Sequence, residues 1–264
     1  MLVYMKAIFK LRMKTLFQYR AAAFAGILTQ LFWGLIFVMI FRTFYAEQSV
    51  VEPITLSQTI TFIWVGQALL HLLPLSIDKE LEGQIRSGNV AYELVRPIHL
   101  YGLWFARSFA LRLIPTIMRC IPVFIVGGLW LGLSAPVSWS AAAFFIMSVI
   151  LACFLSSAIT TLVIISLFWT YAGVGIQRLL IFCATFFSGM IVPLPLFPDW
   201  MQPFLNVQPF RGVMDIPCRL YTGVIPTEDA LYYLLFQLAW MMVFIALGKG
   251  ILNKALKQFV IQGG

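Results

Sequence analysis

Charged residues are scarce in this sequence, and their scarcity excludes a soluble protein. Of its 264 residues, 11% are charged and 61% are hydrophobic, whereas ordinary globular domains are about 25% charged and roughly 45–50% apolar. A soluble domain of this length exposes much of its surface and has no room inside for so many apolar side chains. A long polar stretch is also lacking, so we predict one membrane domain, residues 1–264, with no appended soluble domain.

Residue types that carry chemistry are equally few. The two histidines, His71 and His99, are far apart in the chain, and the four cysteines form no C-x-x-C pair, so neither a metal site nor a nucleophile is predicted. A G-x-x-x-x-G-K-[ST] loop for ATP is lacking, because the run 248–250 (Gly-Lys-Gly) has no leading glycine. We therefore expect a chain that is not an enzyme and binds no cofactor of its own.

The hydrophobic residues form long runs separated by short polar connections. A helix needs about 20 apolar residues to cross the hydrocarbon of a bilayer, and helix is the expected conformation because lipid leaves no partner for bare backbone groups. The fold class is therefore an all-α membrane protein. Six spans are predicted, at residues 21–44, 57–77, within 103–133, 139–170, 175–192 and 230–252.

The basic residues set the orientation of these spans. All but Arg42, Arg211 and Arg219 of the 18 Lys and Arg residues fall on one side of the predicted membrane. By the positive-inside rule that side is cytoplasmic, which places both termini in the cytoplasm and agrees with an even number of spans. The net charge of +8 lies beside apolar runs and is read as a topology signal, so no nucleic-acid partner is expected. We predict a multi-pass protein of the plasma or inner membrane.

The N-terminal segment, residues 1–20, has a basic helical face. Lys6, Lys10 and Lys14 are spaced four apart and share one side of a helix. The apolar residues between them favour an amphipathic helix in the cytoplasmic interface. The alternative is a basic tail that only fixes the topology.

The predicted outer connection, residues 193–229, is dense in proline. Seven prolines interrupt it, which forbids one continuous helix. Apolar residues such as Phe197 and Trp200 lie between the prolines, and a segment this apolar is unlike a loop in water. We predict short helices lying in, or dipping into, the outer leaflet.

The acidic residues all map to connections. None of the ten Asp and Glu residues falls at the centre of a predicted span, although secondary transporters usually carry such carboxylates for ion coupling. This pattern favours energy that is delivered from outside the membrane domain.

The stretch from Asp78 to Pro97 is the substantial polar loop on the inner side. It mixes acids and bases and is interrupted by Gly83 and Gly88. A short helix here would seat in a partner's groove with charged rims; the apolar ridge of that helix is Leu81, Ile85, Tyr92 and Leu94. The alternative is a solvated connector.

Two motifs resemble ABC-2-type transporter permeases. In that family the inner loop reads acid-rich, E-x-G, leucine-rich and then Pro; Glu80, Glu82, Gly83, Leu94 and Pro97 occupy those positions here. The spacing from Gly83 to Pro97 is longer than in the drug-export branch. Residues 187–203, followed by Gln208-Pro209, are similar to the S-G-x-x-x-P…P-x-W…P element that follows the fifth span.

The resemblance implies a function and a set of partners. Two permeases, identical or sister chains, would pair in the membrane with two ATPase subunits that hold ATP and Mg. The loop 78–97 would be the coupling helix; its site residues are Asp78, Lys79, Glu80, Leu81, Glu82, Gly83, Ile85, Arg86, Tyr92, Leu94, Arg96 and Pro97. The outer element would form an exit gate; its residues are Ser188, Gly189, Pro193, Pro198, Trp200 and Pro209.

Arg112 and Arg119 lie inside the third predicted span. They either face a subunit interface or vestibule for an anionic substrate, or snorkel to cytoplasmic headgroups. The predicted function is the permease subunit of an ATP-driven exporter. The alternatives are a stand-alone channel or secondary carrier, and a membrane assembly factor that transports nothing.

Overall fold

The computed structural model describes residues 20–47, 53–94, 99–169 and 173–258. The predicted interfacial helix of residues 1–20 lies outside this part except for its last residue, as do Arg96 and Pro97. Within the described ranges the protein is helical and contains no strand. The helices are α1 (Arg20–Glu47), α2 (Leu56–Ala68), α3 (Lys79–Arg86), α4 (Ala91–Leu94), α5 (Leu100–Trp130), α6 (Trp139–Ser166), α7 (Gly173–Phe187), α8 (Gln202–Val207), α9 (Asp215–Thr222) and α10 (Ala230–Gln258).

Four helices are long and apolar enough to cross a membrane: α1, α5, α6 and α10. Their positions agree with the predicted first, third, fourth and sixth spans. The start of α6 follows from its sequence, because the Ser138 hydroxyl accepts the backbone N–H of Ala141 at 3.0 Å and so caps the helix.

The second predicted span is not one helix of residues 57–77. Helix α2 has 13 residues, and after it come a 3-10 turn at Leu70–Leu72 and an extended segment that includes Pro74. Proline disfavours helical geometry at the residue before it and removes a backbone donor. Every residue of α2 from Thr59 to Ala68 is buried, so its apolar side chains contact protein instead of lipid.

The fifth predicted span, residues 175–192, also ends early. Helix α7 stops at Phe187, and Gly189 follows with a φ of +86°, a left-handed conformation that favours glycine. Pro193 then begins a connection of short pieces: 3-10 turns at Leu194–Leu196, Asp199–Met201 and Pro209–Gly212, together with α8 and α9.

Helix α2 stands at the centre of the bundle. It packs against α1, α5 and α9, while α6 packs against α5, α9 and α10. Trp64 of α2 is fully buried, and its indole N–H donates to the Leu131 carbonyl at 2.9 Å. The Trp64 ring also lies directly over Gly34 of α1 and 3.6 Å from the place that a Cβ on Gly127 would take. One side chain therefore joins three helices.

Candidate functional site

Helix α3 is built by signals in its own sequence. Asp78 caps its start, because its Oδ1 accepts the backbone N–H groups of Glu80 at 3.1 Å and Leu81 at 3.3 Å. Arg86 in the last turn pairs with Glu82 at 2.8 Å, one turn earlier. Gly88 ends the helix with a φ of +76°, the usual conformation after a helix C-terminus. A compact turn then leads to α4.

Arg107 on α5 attaches this element to the membrane bundle. Its Nε donates to Asp78 Oδ2 at 2.8 Å and its Nη2 to Glu80 Oε2 at 2.9 Å. Its Nη1 lies 3.7 Å from Glu93 Oε1 on α4. The Arg107 side chain is only 11% exposed, so water screens these charges weakly. One guanidinium thus links the first turn of α3 and helix α4 to the base of α5.

A second attachment is apolar. Leu81 and Ile85 are buried against Leu100 and Trp104 of α5 and Val163 of α6. The Trp104 indole N–H donates to Glu93 Oε2 at 3.0 Å. Because Leu81 and Ile85 are one turn apart on α3, they form a single apolar face that packs against the membrane helices.

The prediction that Leu81 and Ile85 belong to an apolar ridge that contacts a partner is therefore wrong. Their side chains face the protein's own core, so they are not on an outer surface that a partner contacts. Tyr92 does lie outside, at 73% exposure. The side chain of Leu94 is not among those described. The sequence indicated an amphipathic α3 but not which neighbour takes its apolar face.

The outer surface of α3 is polar and unobstructed. Lys79, Gly83 and Arg86 are exposed, as is the turn 87–89. A Cβ added to Gly83 would meet no atom within 4 Å. Together with Tyr92, these residues form a surface that we call the docking face: Lys79, Gly83, Arg86, residues 87–89 and Tyr92.

The predicted gate residues divide into buried and exposed groups. Ser188, Gly189 and Pro193 are buried where α7 ends, and Pro209 is half-buried. A Cβ at Gly189 would lie 3.3 Å from Leu194 and 3.6 Å from Asp215, so the chain packs closely there. Pro198 and Trp200 are exposed, Trp200 at 78%.

Beside this segment lies a buried charge cluster that the sequence did not indicate. Asp215 is fully buried, and its Oδ2 lies 3.4 Å from Arg219 Nη1 and 3.8 Å from Arg211 Nη2. Arg211 also donates to Asn206 Oδ1 at 2.8 Å and lies 5.3 Å from the centre of the Tyr233 ring. These contacts fix the short helices of the connection to one another and to α10.

The two arginines of the third span differ in their surroundings. Arg112 is buried, and its Nη2 donates to the Ser76 carbonyl and, at 3.0 Å, to Thr160 Oγ1 on α6. It joins the segment after α2 to α6 inside one chain, which argues against a vestibule role. Arg119 is half-buried, and its guanidinium lies over Gly26 of α1.

A comparison with protein families decides the family. Residues 31–263 match the family described as "ABC-2 family transporter protein", which covers all the described helices except the first 11 residues of α1. The chain belongs to the ABC-2 transporter family. No curated protein and no solved structure gives a match.

Membership of the ABC-2 family makes the chain a multi-pass membrane protein with a permease-type transport role. Among the described residues there is no group of three or more His, Cys, Asp or Glu side chains that would hold a metal ion. The polar features of the described residues include the Arg107 cluster, the Asp215 cluster, Arg112 and Gln237. The Gln237 amide in α10 donates to the carbonyls of Gly212 at 2.7 Å and Ser148 at 3.1 Å.

Sequence reasoning missed Arg107 and Gln237 as site residues. Arg107 was counted only as a positive charge near the membrane, and its acidic partners lie 14 to 29 positions earlier in the chain. Gln237 carried a usable signal, since it is an isolated amide within the long apolar run of α10. A buried amide in lipid needs partners, and that requirement would have predicted a helix contact at this position.

Proposed function

We propose that this chain is the membrane-spanning permease subunit of an ATP-binding-cassette exporter, with both termini in the cytoplasm. α2 together with the segment up to Ile77, and α7 together with the turn that follows it, complete six passes with the four long helices. Two ATPase subunits, which hold ATP and Mg, dock on the cytoplasmic side. A second permease, identical or a sister chain, completes the transport path.

The observation that carries this proposal is the two-sided construction of α3. One face is attached to α5 and α6 through Arg107, Leu81 and Ile85. The other, the docking face, is polar, exposed and unobstructed at Gly83. A helix that is fixed to two membrane helices on one face and exposed on the other can transmit movement of a bound partner to those membrane helices.

The distribution of acids supports a separate energy source. No Asp or Glu lies within α5, α6 or α10, and the acid of α1 is its last residue, Glu47. The buried carboxylate of Asp215 lies between two arginines, which favours a structural ion cluster over a site that binds and releases cations. A stand-alone carrier driven by ions therefore has little support.

The test changes Gly83, because the protein has empty space there. We expect Gly83→Trp to leave the permease folded while its indole blocks docking, so that co-purification with its partner ATPase falls at least about tenfold, a loss of about 1.4 kcal/mol of binding free energy. Gly83→Ala is the matched control: a methyl group meets nothing, and alanine favours helix over glycine by about 1 kcal/mol.

The measurement is the ratio of ATPase to permease after affinity purification in mild detergent, with gel filtration to confirm that each variant is monodisperse. If Gly83→Trp retained the ATPase as well as the parent chain, the docking face would be wrong. If the parent chain bound no ATPase under any condition, the exporter proposal itself would fall.

A further inference from the structure

A cleft of about 760 Å³ opens between the first two turns of α5 and the second half of α10. It lies at the same end of the bundle as α3, since Glu93 is part of its rim. Its walls are mainly apolar, with Phe105 of α5 and Ile245 and Leu252 of α10 among them. Both helices are long enough to span a membrane, so the cleft borders lipid at one bilayer surface.

The polar groups of the cleft favour an anion. Lys249 is exposed and forms no ion pair with any described residue; its Nζ lies 6.0 Å from the centre of the Tyr101 ring. The Tyr101 hydroxyl is buried and has no hydrogen-bond partner among the described residues. His99 at the start of α5 makes no side-chain capping bond, so the backbone N–H groups of the first turn add to the positive potential.

The acid at the rim is already engaged. Glu93 accepts a hydrogen bond from Trp104 at 3.0 Å and lies 3.7 Å from Arg107. Its carboxylate is held at the attachment of α4, and Glu93 forms no ion pair with Lys249. Lys249 is therefore an exposed cation of the lining that has no ion-pair partner among the described residues.

We propose that this cleft binds an anionic phospholipid of the cytoplasmic leaflet. The phosphate lies near Lys249 and the first turn of α5, and the upper parts of the acyl chains lie along Phe105, Ile245 and Leu252. A free inorganic anion would gain nothing from the apolar walls. Basic pockets between membrane helices on the cytoplasmic side commonly hold anionic headgroups, and the volume falls within the range of about 300–1,000 Å³ for small-molecule sites.

The position of the cleft gives the lipid a function. The first turn of α5 lies two turns before Arg107, which holds α3 and α4. A lipid that bridges α5 and α10 would fix the base of α5 relative to the last membrane helix. The assignment to the cytoplasmic leaflet rests on the orientation in the proposed function. Binding of the lipid itself does not depend on the ATPase or on the transported substrate, so the two can succeed or fail separately.

The experiment measures the lipid that remains bound to the purified full-length chain. The chain is reconstituted in phosphatidylcholine bilayers with or without phosphatidylglycerol, re-extracted, and its bound lipids are counted by native mass spectrometry. We expect phosphatidylglycerol to be retained by the parent chain, and Lys249→Gln to lower that retention about fivefold, the effect of one lysine near an anionic headgroup. Lys254→Gln, an exposed lysine of the same helix outside the cleft, should retain as much as the parent.

A second variant separates the shape of the cleft from its charge. Ile245→Trp fills the apolar wall and leaves Lys249 in place, and it should also reduce retention of phosphatidylglycerol. Equal retention in Lys249→Gln and the parent, or equal loss in Lys249→Gln and Lys254→Gln, would overturn the proposal. If added inorganic phosphate lowered the retention of phosphatidylglycerol by the parent chain as much as the Lys249→Gln substitution does, the site would be one for free anions and the lipid assignment would fall.

Discussion

Arg107→Met should detach α3 from the membrane bundle while the four long helices stay folded. The substitution keeps most of the length and the apolar stem of the side chain but removes the guanidinium that Asp78, Glu80 and Glu93 share. Removing one partner of a largely buried ion pair costs about 3 kcal/mol. Since each 1.4 kcal/mol is a factor of ten, the detached population of α3 should rise about a hundredfold.

Hydrogen–deuterium exchange of residues 79–86 measures this population without knowledge of the substrate. Amide exchange there should accelerate about a hundredfold in Arg107→Met, because local opening controls the rate. Exchange in α6 and α10 should be unchanged. Arg86→Met is the control on the same element, since Arg86 is more exposed and pairs with Glu82 within α3; exposed pairs of this kind contribute about 0.3–0.5 kcal/mol.

The functional consequence distinguishes attachment from docking. The docking face is unchanged in Arg107→Met, so the ATPase should still co-purify, whereas the transport driven by each ATP hydrolysed should fall. Gly83→Trp should do the opposite and remove the ATPase from an intact permease. An Arg107→Met protein with normal exchange in α3 and normal transport would show that the ion cluster does not transmit force.

The sequence predicted the helices that depend on local signals. Helix α6 has no charged residue along its whole length and begins at a serine cap, and α10 follows the short turn 226–229. Both helices can be predicted from the sequence because each is apolar and long enough to cross the bilayer. The start of α3 at Asp78 is local in the same sense.

The features that sequence reasoning missed depend on distant contacts. An apolar run is equally compatible with a helix that faces lipid and with one that faces protein, so the burial of α2 at the bundle centre was not predictable from residues 57–77. The apolar face of Leu81 and Ile85 presented the same ambiguity. It packs against the protein's own core because α5 and α6 supply an apolar surface beside it. The ion partners of Arg107 are set by packing, because they lie 14 to 29 positions away in the chain. Arg211 and Arg219 each lie four residues from Asp215, a spacing that the sequence shows, and it is the burial of this cluster that depends on packing.

The spacing of glycines on α1 indicates a face of small residues but not which side chains pack against that face. Gly26, Gln30, Gly34 and Val38 repeat every four residues and so share one face of the helix. Gly26 lies against Arg119, and Gly34 against Trp64, which in turn lies near Gly127. Gly26 and Gly34 are eight residues apart on α1, and their counterparts on α5, Arg119 and Gly127, are also eight residues apart in the same direction. This relation is expected when α1 and α5 run parallel. The repeat is in the sequence, but the side chains that fill the small positions come from α2 and α5.

Trp64→Ala should be the most destabilising single substitution in the bundle. Trp64 is fully buried, and removing a large aromatic side chain from a packed core costs about 3–5 kcal/mol. The Leu131 carbonyl also loses the indole donor that lies 2.9 Å away. Trp130→Ala is the matched control, because Trp130 is 72% exposed and its loss should change stability by less than about 0.5 kcal/mol. Thermal unfolding in mild detergent measures both.

A double substitution tests whether Trp64 acts through the contact with α1. A methyl group at Gly34 would collide with the Trp64 ring, so Gly34→Ala alone should destabilise the protein by about 1–3 kcal/mol, as overpacking does. In the Trp64→Ala background the same methyl group enters the vacated space, and its cost should vanish or reverse. Strictly additive effects of the two substitutions would mean that residues 34 and 64 are not in contact, and the central position of α2 would then be wrong.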